Sequence, residues 1–317
     1  MVDDDTLALL RGSLHEVLTT GDGVGAALLE LGWDDVVSDD PAVATTCLFE
    51  VQGEVLAVTD QVDAVAVAAA GLPVGTRLIW PDPAAGPGTP STIVAGGVAQ
   101  VRGLATADLD VSGGAPVVVP TDGGLVRIDA SGLTAVPVTG IDPDARWQRV
   151  TGDVAVIDAV PGDWQSGLAA ARRAVASELV GACAGMLALA VAHVTSREQF
   201  GRPIGSYQSV RHRLAEAFAH VEGARATIRS AWDDGDPAAA AVAKAVAGQA
   251  HADVARHCLQ VCGAMGLTWE FDLHRFVRRG QALEAFLGSS RQLARAHGQA
   301  LLSGAPLARV GSPVAST

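Results

Sequence analysis

The chain has 317 residues, 49% of them hydrophobic and 18% charged, and a mean hydropathy of +0.29. A chain this apolar and long builds a sizeable core in two or three domains, so disorder is excluded. Its net charge of −13 and its 4% aromatic content argue against a nucleic-acid partner, which would call for cations and stacking rings.

The charge is unevenly divided. Residues 1–160 hold 6 Arg and 23 acids, a net −17, whereas residues 161–317 hold 16 cations and 12 acids, a net +4. A phosphorylated ligand would therefore be gripped by the second half. The opening MVDDDTLALL is acidic where a secretory segment is basic, and four cysteines are spread along the chain. A cytoplasmic, reduced protein is the expectation. The apolar run 179–194 is short for a membrane span and contains His193, so it is read as a buried core helix and no membrane span is expected.

Residues 5–32 read as helical, with Leu7, Leu10, Leu14, Val17 and Leu18 at helical spacing and a break at Asp22-Gly23. From Cys47 to about Val160 the chain turns rich in Val, Thr, Gly and Pro, with short alternating stretches punctuated every 8–12 residues. That pattern predicts antiparallel strands in a sandwich or barrel, with 81–90 as a loop. Helical periodicity then runs through roughly 163–196, 206–233, 237–263 and 272–302. Asp236 and Pro237 read as the N-cap and first residue of the third of these. The expected fold is a multi-domain α+β chain. It has an abbreviated N-terminal helical segment (1–75), a middle antiparallel β domain (76–160), a C-terminal four-helix bundle (161–305) and a tail (306–317).

The dinucleotide-binding glycine motif, the P-loop and the nucleophile elbow are missing from this sequence. His251, His257, Cys258 and Cys262 share one predicted helix, but their spacing suits core packing better than zinc, and no metal site is expected. Two segments are informative. In SREQFGRPIGSYQSVRHRLAE, residues 196–216, an Arg, a Gln and a Phe precede a Gly-x-Pro turn and a helix start near Ser206. A guanidinium, an amide and an aromatic face beside a helix N-terminus make a competent pocket for a diphosphate and an adenine. In HCLQVCGAMGLTWEFDLHRFVRRG, residues 257–280, small residues stand where a helix ends, so a ligand can approach the backbone closely.

In this order and separation the two segments resemble the C-terminal domain of the acyl-CoA dehydrogenase family, and the similarity is strongest over residues 165–300. It is weaker over 95–160, where GIDPDARW looks like a degenerate strand boundary, and faint over 1–75, where ELGW resembles a surviving turn. The resemblance implies FAD as cofactor and acyl-CoA as substrate. It implies that Arg197, Gln199 and Phe200, with Gln260, Val261, Gly263 and Ala264, meet the ADP half of a flavin seated mainly in a neighbouring subunit. Ala264 stands where a second Gly is usual, and Gln208 matches a helix-start Gln that is either structural or a cofactor contact.

The resemblance also exposes gaps. Leu287 occupies the position of the family's usual glutamate base, and the alternative position falls near Ala171, with no acid between Asp163 and Glu178. Glu178, Glu270 and Glu284 are the remaining acids in reach, and the flavin-cradling strand is reduced to LATADLD at 104–110. The chain therefore looks like the short, degenerate subunit of a heteromer similar to the α2β2 steroid-CoA dehydrogenases of actinobacteria. A larger subunit would supply the base, and an electron-transfer acceptor would reoxidise the flavin. The alternatives are a self-sufficient homo-oligomer with a relocated base and a non-catalytic structural paralogue.

Overall fold

The computed structural model describes residues 4–20, 23–106 and 109–306; the Asp22 break, part of the LATADLD segment and nearly all of the proposed tail lie outside them. Five helices open the chain: α1 (Asp4–Thr19), α2 (Val24–Glu30), α3 (Trp33–Asp39), α4 (Pro41–Val55) and α5 (Gln61–Ala69). The strand reading from Cys47 onward is thus corrected for residues up to Ala69. Val, Thr and Cys there are set at helical spacing, and Ala44, Cys47, Leu48 and Val51 bury one side of α4. The start of α4 is fixed locally: Asp40 accepts a bond from the Val43 amide and Pro41 occupies the first turn.

The sheet comprises β1 (Arg77–Leu78), β2 (Trp80–Pro81), β3 (Ile93–Ala95), β4 (Val98–Ala105), β5 (Pro116–Thr121), β6 (Gly124–Asp129), β7 (Thr134–Pro137) and β8 (Gln148–Val160). Its order is β1-β5-β6-β8-β4-β2, with β3 also on β4 and β7 also on β8. The pairs are antiparallel as expected, except that β1 runs parallel to β5. The long β8 organises it, pairing with β4 and β7 in its first half and with β6 in its second. A separate small core fills the sheet, with Ile79, Val101, Val119, Ile128, Leu133 and Val150 at its centre.

The second half begins with α6 (Trp164–Ser196), capped by Asp163 on the amides of Gln165 and Ser166. A short hairpin, β9 (Glu198–Gln199) and β10 (Arg202–Pro203), leads into α7 (Gln208–Asp234), and Asp236-Pro237 start α8 (Pro237–Cys262) as read from sequence. The predicted fourth helix is two: α9 (Leu273–Ala285) and α10 (Ser290–Leu302). The chain breaks because Leu287 and Gly288 take left-handed backbone angles (φ 58° and 107°), after which a Ser289–Gln292 capping box restarts the helix. By length and composition α6 could cross a membrane, but 72% of its most apolar window is buried inside the fold. It is the central strut, hydrophobic on all sides because α4, α5, α7, α8 and α9 all pack on it.

Two glycines set the closest of these contacts. A Cβ on Gly53 of α4 would lie 2.1 Å from the Glu178 carbonyl oxygen, and one on Gly181 of α6 would lie 1.9 Å from that of Glu50. The two backbones therefore touch, and no side chain or ligand fits between the helices at that crossing.

Candidate functional site

Helices α6 and α8 run one way and α7 returns between them, so the ends of α6 and α8 share one end of the bundle with the start of α7. The two motif segments are thereby brought together, and His193 and Phe271 link them with ring centres 5.7 Å apart. The hairpin is held by the Arg197 carbonyl accepting from the Ile204 amide (2.8 Å) and by Arg202 stacking on Tyr207 (4.1 Å). It pushes Phe200 into solvent, 93% exposed, on a left-handed backbone (φ 54°). Arg197, Gln199 and Gln208 are exposed beside it. The Arg197 guanidinium forms no ion pair or hydrogen bond among the described residues.

At the end of α8, Gly263 (φ 59°) turns the chain into a short 3-10 segment over Gly263–Leu267. Nothing lies within 4 Å of where its Cβ would stand, so the turn is open to an approaching ligand. Gln260 and Gly263 border an open groove of about 660 Å³ along α8 and α9. Ala264 is exposed, whereas the Val261 side chain points the other way and is 9% exposed in the main core. Met265, Leu267 and Trp269 are exposed on the same stretch. This end of the bundle thus presents an unpaired guanidinium, three amides, an aromatic face and several uncovered apolar side chains.

The position expected to carry a base is built differently. Leu287 is 4% exposed and packs in the core. Its carbonyl accepts from Arg172 Nε (3.2 Å), and Arg172 Nη2 also donates to the Pro87 carbonyl (3.0 Å). Lys244 Nζ, fully buried, donates to the carbonyls of Glu284 (3.3 Å) and Gly288 (3.2 Å). Burial pushes Lys244 down to about 8, against the pull of Glu284, and pushes Arg172 down to about 10. Two buried cations therefore hold the turn from behind. Sequence reading missed them; the one signal was a lone Lys in an Ala-rich helix.

The three remaining acids fare differently. Glu270 is exposed, and Glu284 Oε1 is engaged by the Ser290 amide (2.7 Å) and hydroxyl (2.6 Å). Glu178 is buried, and burial pushes it up to about 7 against the pull of Arg279. Ala171 is wholly buried. Of the reduced strand, Leu104 and Ala105 close β4, and Thr106 donates to Asp63 (3.1 Å). A groove of about 320 Å³ lies between Gly103–Leu104, Trp147 and α9. Among the described residues no three His, Cys, Asp or Glu side chains converge to hold a metal ion. The four cysteines are free and buried.

Residues 163–302 match the acyl-CoA dehydrogenase C-terminal domain. The bundle half of this chain therefore belongs to the acyl-CoA dehydrogenase family. Among curated relatives, the acyl-CoA dehydrogenase IpdE2 of Mycobacterium tuberculosis is 34% identical over 180 residues, covering 56% of this chain and 55% of its own. The chain thus spans about half the length of that relative. Among solved structures, the Tcur3481–Tcur3483 steroid ACAD superimposes with a TM-score of 0.72 at 23% identity, covering 95% of this chain and 98% of that one. The ChsE4–ChsE5 complex of Mycobacterium tuberculosis gives a TM-score of 0.72 at 20% identity, covering 96% and 99%. The described elements thus form an acyl-CoA dehydrogenase fold, with its helical, sheet and bundle parts in the family order.

Proposed function

We propose that this chain is one subunit of a flavin-dependent acyl-CoA dehydrogenase, acting on a bulky acyl-CoA of the steroid side-chain type beside a larger partner subunit. The observation that carries this reading is the arrangement at the bundle end. Arg197, Gln199, Phe200, Gln260 and Gly263 all face solvent there, beside exposed Leu267 and Trp269. They suit the ADP half of an FAD seated mainly in the partner: a free guanidinium for the diphosphate, an aromatic face for the adenine, and a glycine turn with open space before it. The exposed apolar side chains give a docking partner surface to cover. An FAD held there would supply the acceptor for a hydride leaving the acyl β-carbon.

The base is assigned to the partner because this chain has none to offer at the expected turn. Leu287 carries no proton acceptor, and the Arg172–Lys244 pair would hold any carboxylate placed there in its ionised, weakly basic form. The Glu178 environment favours a relocated base in its raised pKa alone. Its adjoining cavity of about 30 Å³ has no room for an acyl chain. The likeness to a steroid ACAD supports the steroid substrate class, and the likeness to the ChsE4–ChsE5 complex supports a hetero-oligomer. An electron-transfer acceptor completes the cycle.

The test is flavin retention in the complex co-purified with its larger subunit. Arg197→Ala is expected to lower FAD affinity about tenfold, the loss of one charge-assisted contact of about 1.5 kcal/mol. Unchanged flavin content would remove Arg197 from the cofactor site. Leu287→Glu in the isolated chain is expected to show no acyl-CoA turnover with a dye acceptor, because the rest of the site is incomplete without the partner. Measurable turnover would show that the chain builds a complete site by itself.

A further inference from the structure

Four segments far apart in sequence meet around one buried guanidinium. Arg279 of α9, 4% exposed, donates from Nε to Asp142 Oδ2 at 2.5 Å and from Nη1 to the Ala57 carbonyl at 3.0 Å. Its Nη1 also lies 3.5 Å from Glu178 Oε1 on α6. Glu178 is hydrogen-bonded to Gln52 of α4 as well. The N-terminal helices, the loop before β8, the central strut and α9 are thus joined through one cation and two carboxylates. A cavity of about 30 Å³ opens beside them, walled by Gln52, Thr59, Thr106, Glu178 and Arg279. That is room for roughly one water molecule.

The charges at this junction do not balance. Asp142 holds the cation in a short, direct bond, whereas Glu178 reaches the same cation only at 3.5 Å. Among the described residues no second cation faces Glu178. The charged groups on it are Arg279 from α9 and Asp142 from the 140s loop, while α4 offers Gln52 and the turn after β4 offers Thr106, both neutral. When all three ionise, the buried cluster carries one excess negative charge. The α4–α6 crossing at Gly53 adjoins the Glu178 carbonyl directly, so α4 has no slack in which to accommodate that charge.

We propose that Glu178 is a proton switch governing how firmly the N-terminal helices are docked on the bundle: the protonated form docks them tightly and the ionised form loosens them. The proposal goes beyond the cofactor-sharing role and does not depend on it. Its direction follows from the groups described. Glu178 in the docked state binds its proton more tightly than it does in water, so docking is firmest below the ordinary glutamate range. That firmness is lost as the pH rises towards and through about 7.

Hydrogen exchange of the full chain between pH 5 and pH 8, corrected for the intrinsic exchange rate, reads this directly. Opening of peptides covering α4 is expected to rise about tenfold per pH unit up to about 7 and then level off, relative to peptides from β4 and β8. Glu178→Gln should flatten the profile. Asp142→Asn removes the acid that competes for Arg279 and should bring the plateau to lower pH with a smaller total rise. A flat wild-type profile, or the same rise in Glu178→Gln, overturns the proposal. Should the Gln variant fail to fold, an Asp142→Asn profile identical to wild type does so.

Discussion

Gly181→Ala is expected to lower the thermal midpoint by roughly 4–5 °C, a loss of about 3 kcal/mol, in thermal unfolding followed by circular dichroism. The added methyl would stand 1.9 Å from the Glu50 carbonyl oxygen and 2.9 Å from the Glu50 Cα. Both are backbone atoms of a buried helix, so no side chain can rotate away; α4 and α6 must separate. Separation also opens the facing contact at Gly53, where the neighbours are the Glu178 carbonyl and the Ala182 amide. Gly12 in α1 supplies the control. It is exposed with nothing within 4 Å of its Cβ direction, so Gly12→Ala should be neutral or stabilising by up to about 1 kcal/mol.

Arg279→Met should destabilise the chain by about 3–5 kcal/mol, because it strands Asp142 and Glu178 as buried carboxylates without a cation. The Ala57 carbonyl loses its donor at the same time. The loss should be smaller at pH 5 than at pH 8, since the stranded acids can then take up protons. Adding Asp142→Asn and Glu178→Gln should recover part of it. Urea unfolding at the two pH values measures both effects; equal losses at both would mean that packing rather than charge holds the junction.

The parts of this fold that were legible in the sequence are those specified locally. Asp236-Pro237 announces α8 by the chemistry of a helix start, and alternation with turn residues announces β4 to β8. The two motifs were legible because they carry unusual side chains at a helix end, and the structure gathers them at one end of the bundle. Helix α4 was misread because β-branched residues weigh towards strands. Its partner, the glycine face of α6, lies more than a hundred residues away and leaves no local trace. The break at Leu287 was missed although Gly288-Ser289-Ser290 is a turn-and-cap signal, because the apolar periodicity on either side stays in phase. The parallel β1–β5 pair and the Arg172, Lys244 and Arg279 contacts are long-range facts that no window of sequence contains.

The backbone contact between α4 and α6 also imposes an order of events on synthesis. The side of α4 that packs on α6 has no seat until Gly181 has been made, although α1 and α3 can cover the rest of the helix earlier. At ribosomal rates of roughly 5–20 residues per second, that interval is on the order of ten seconds. During it the nascent chain displays a greasy helix uncovered on one side, on a segment of strongly acidic character. The negative charge of the first half would then act apart from any ligand, as a repulsion between growing chains on one polysome until the strut arrives.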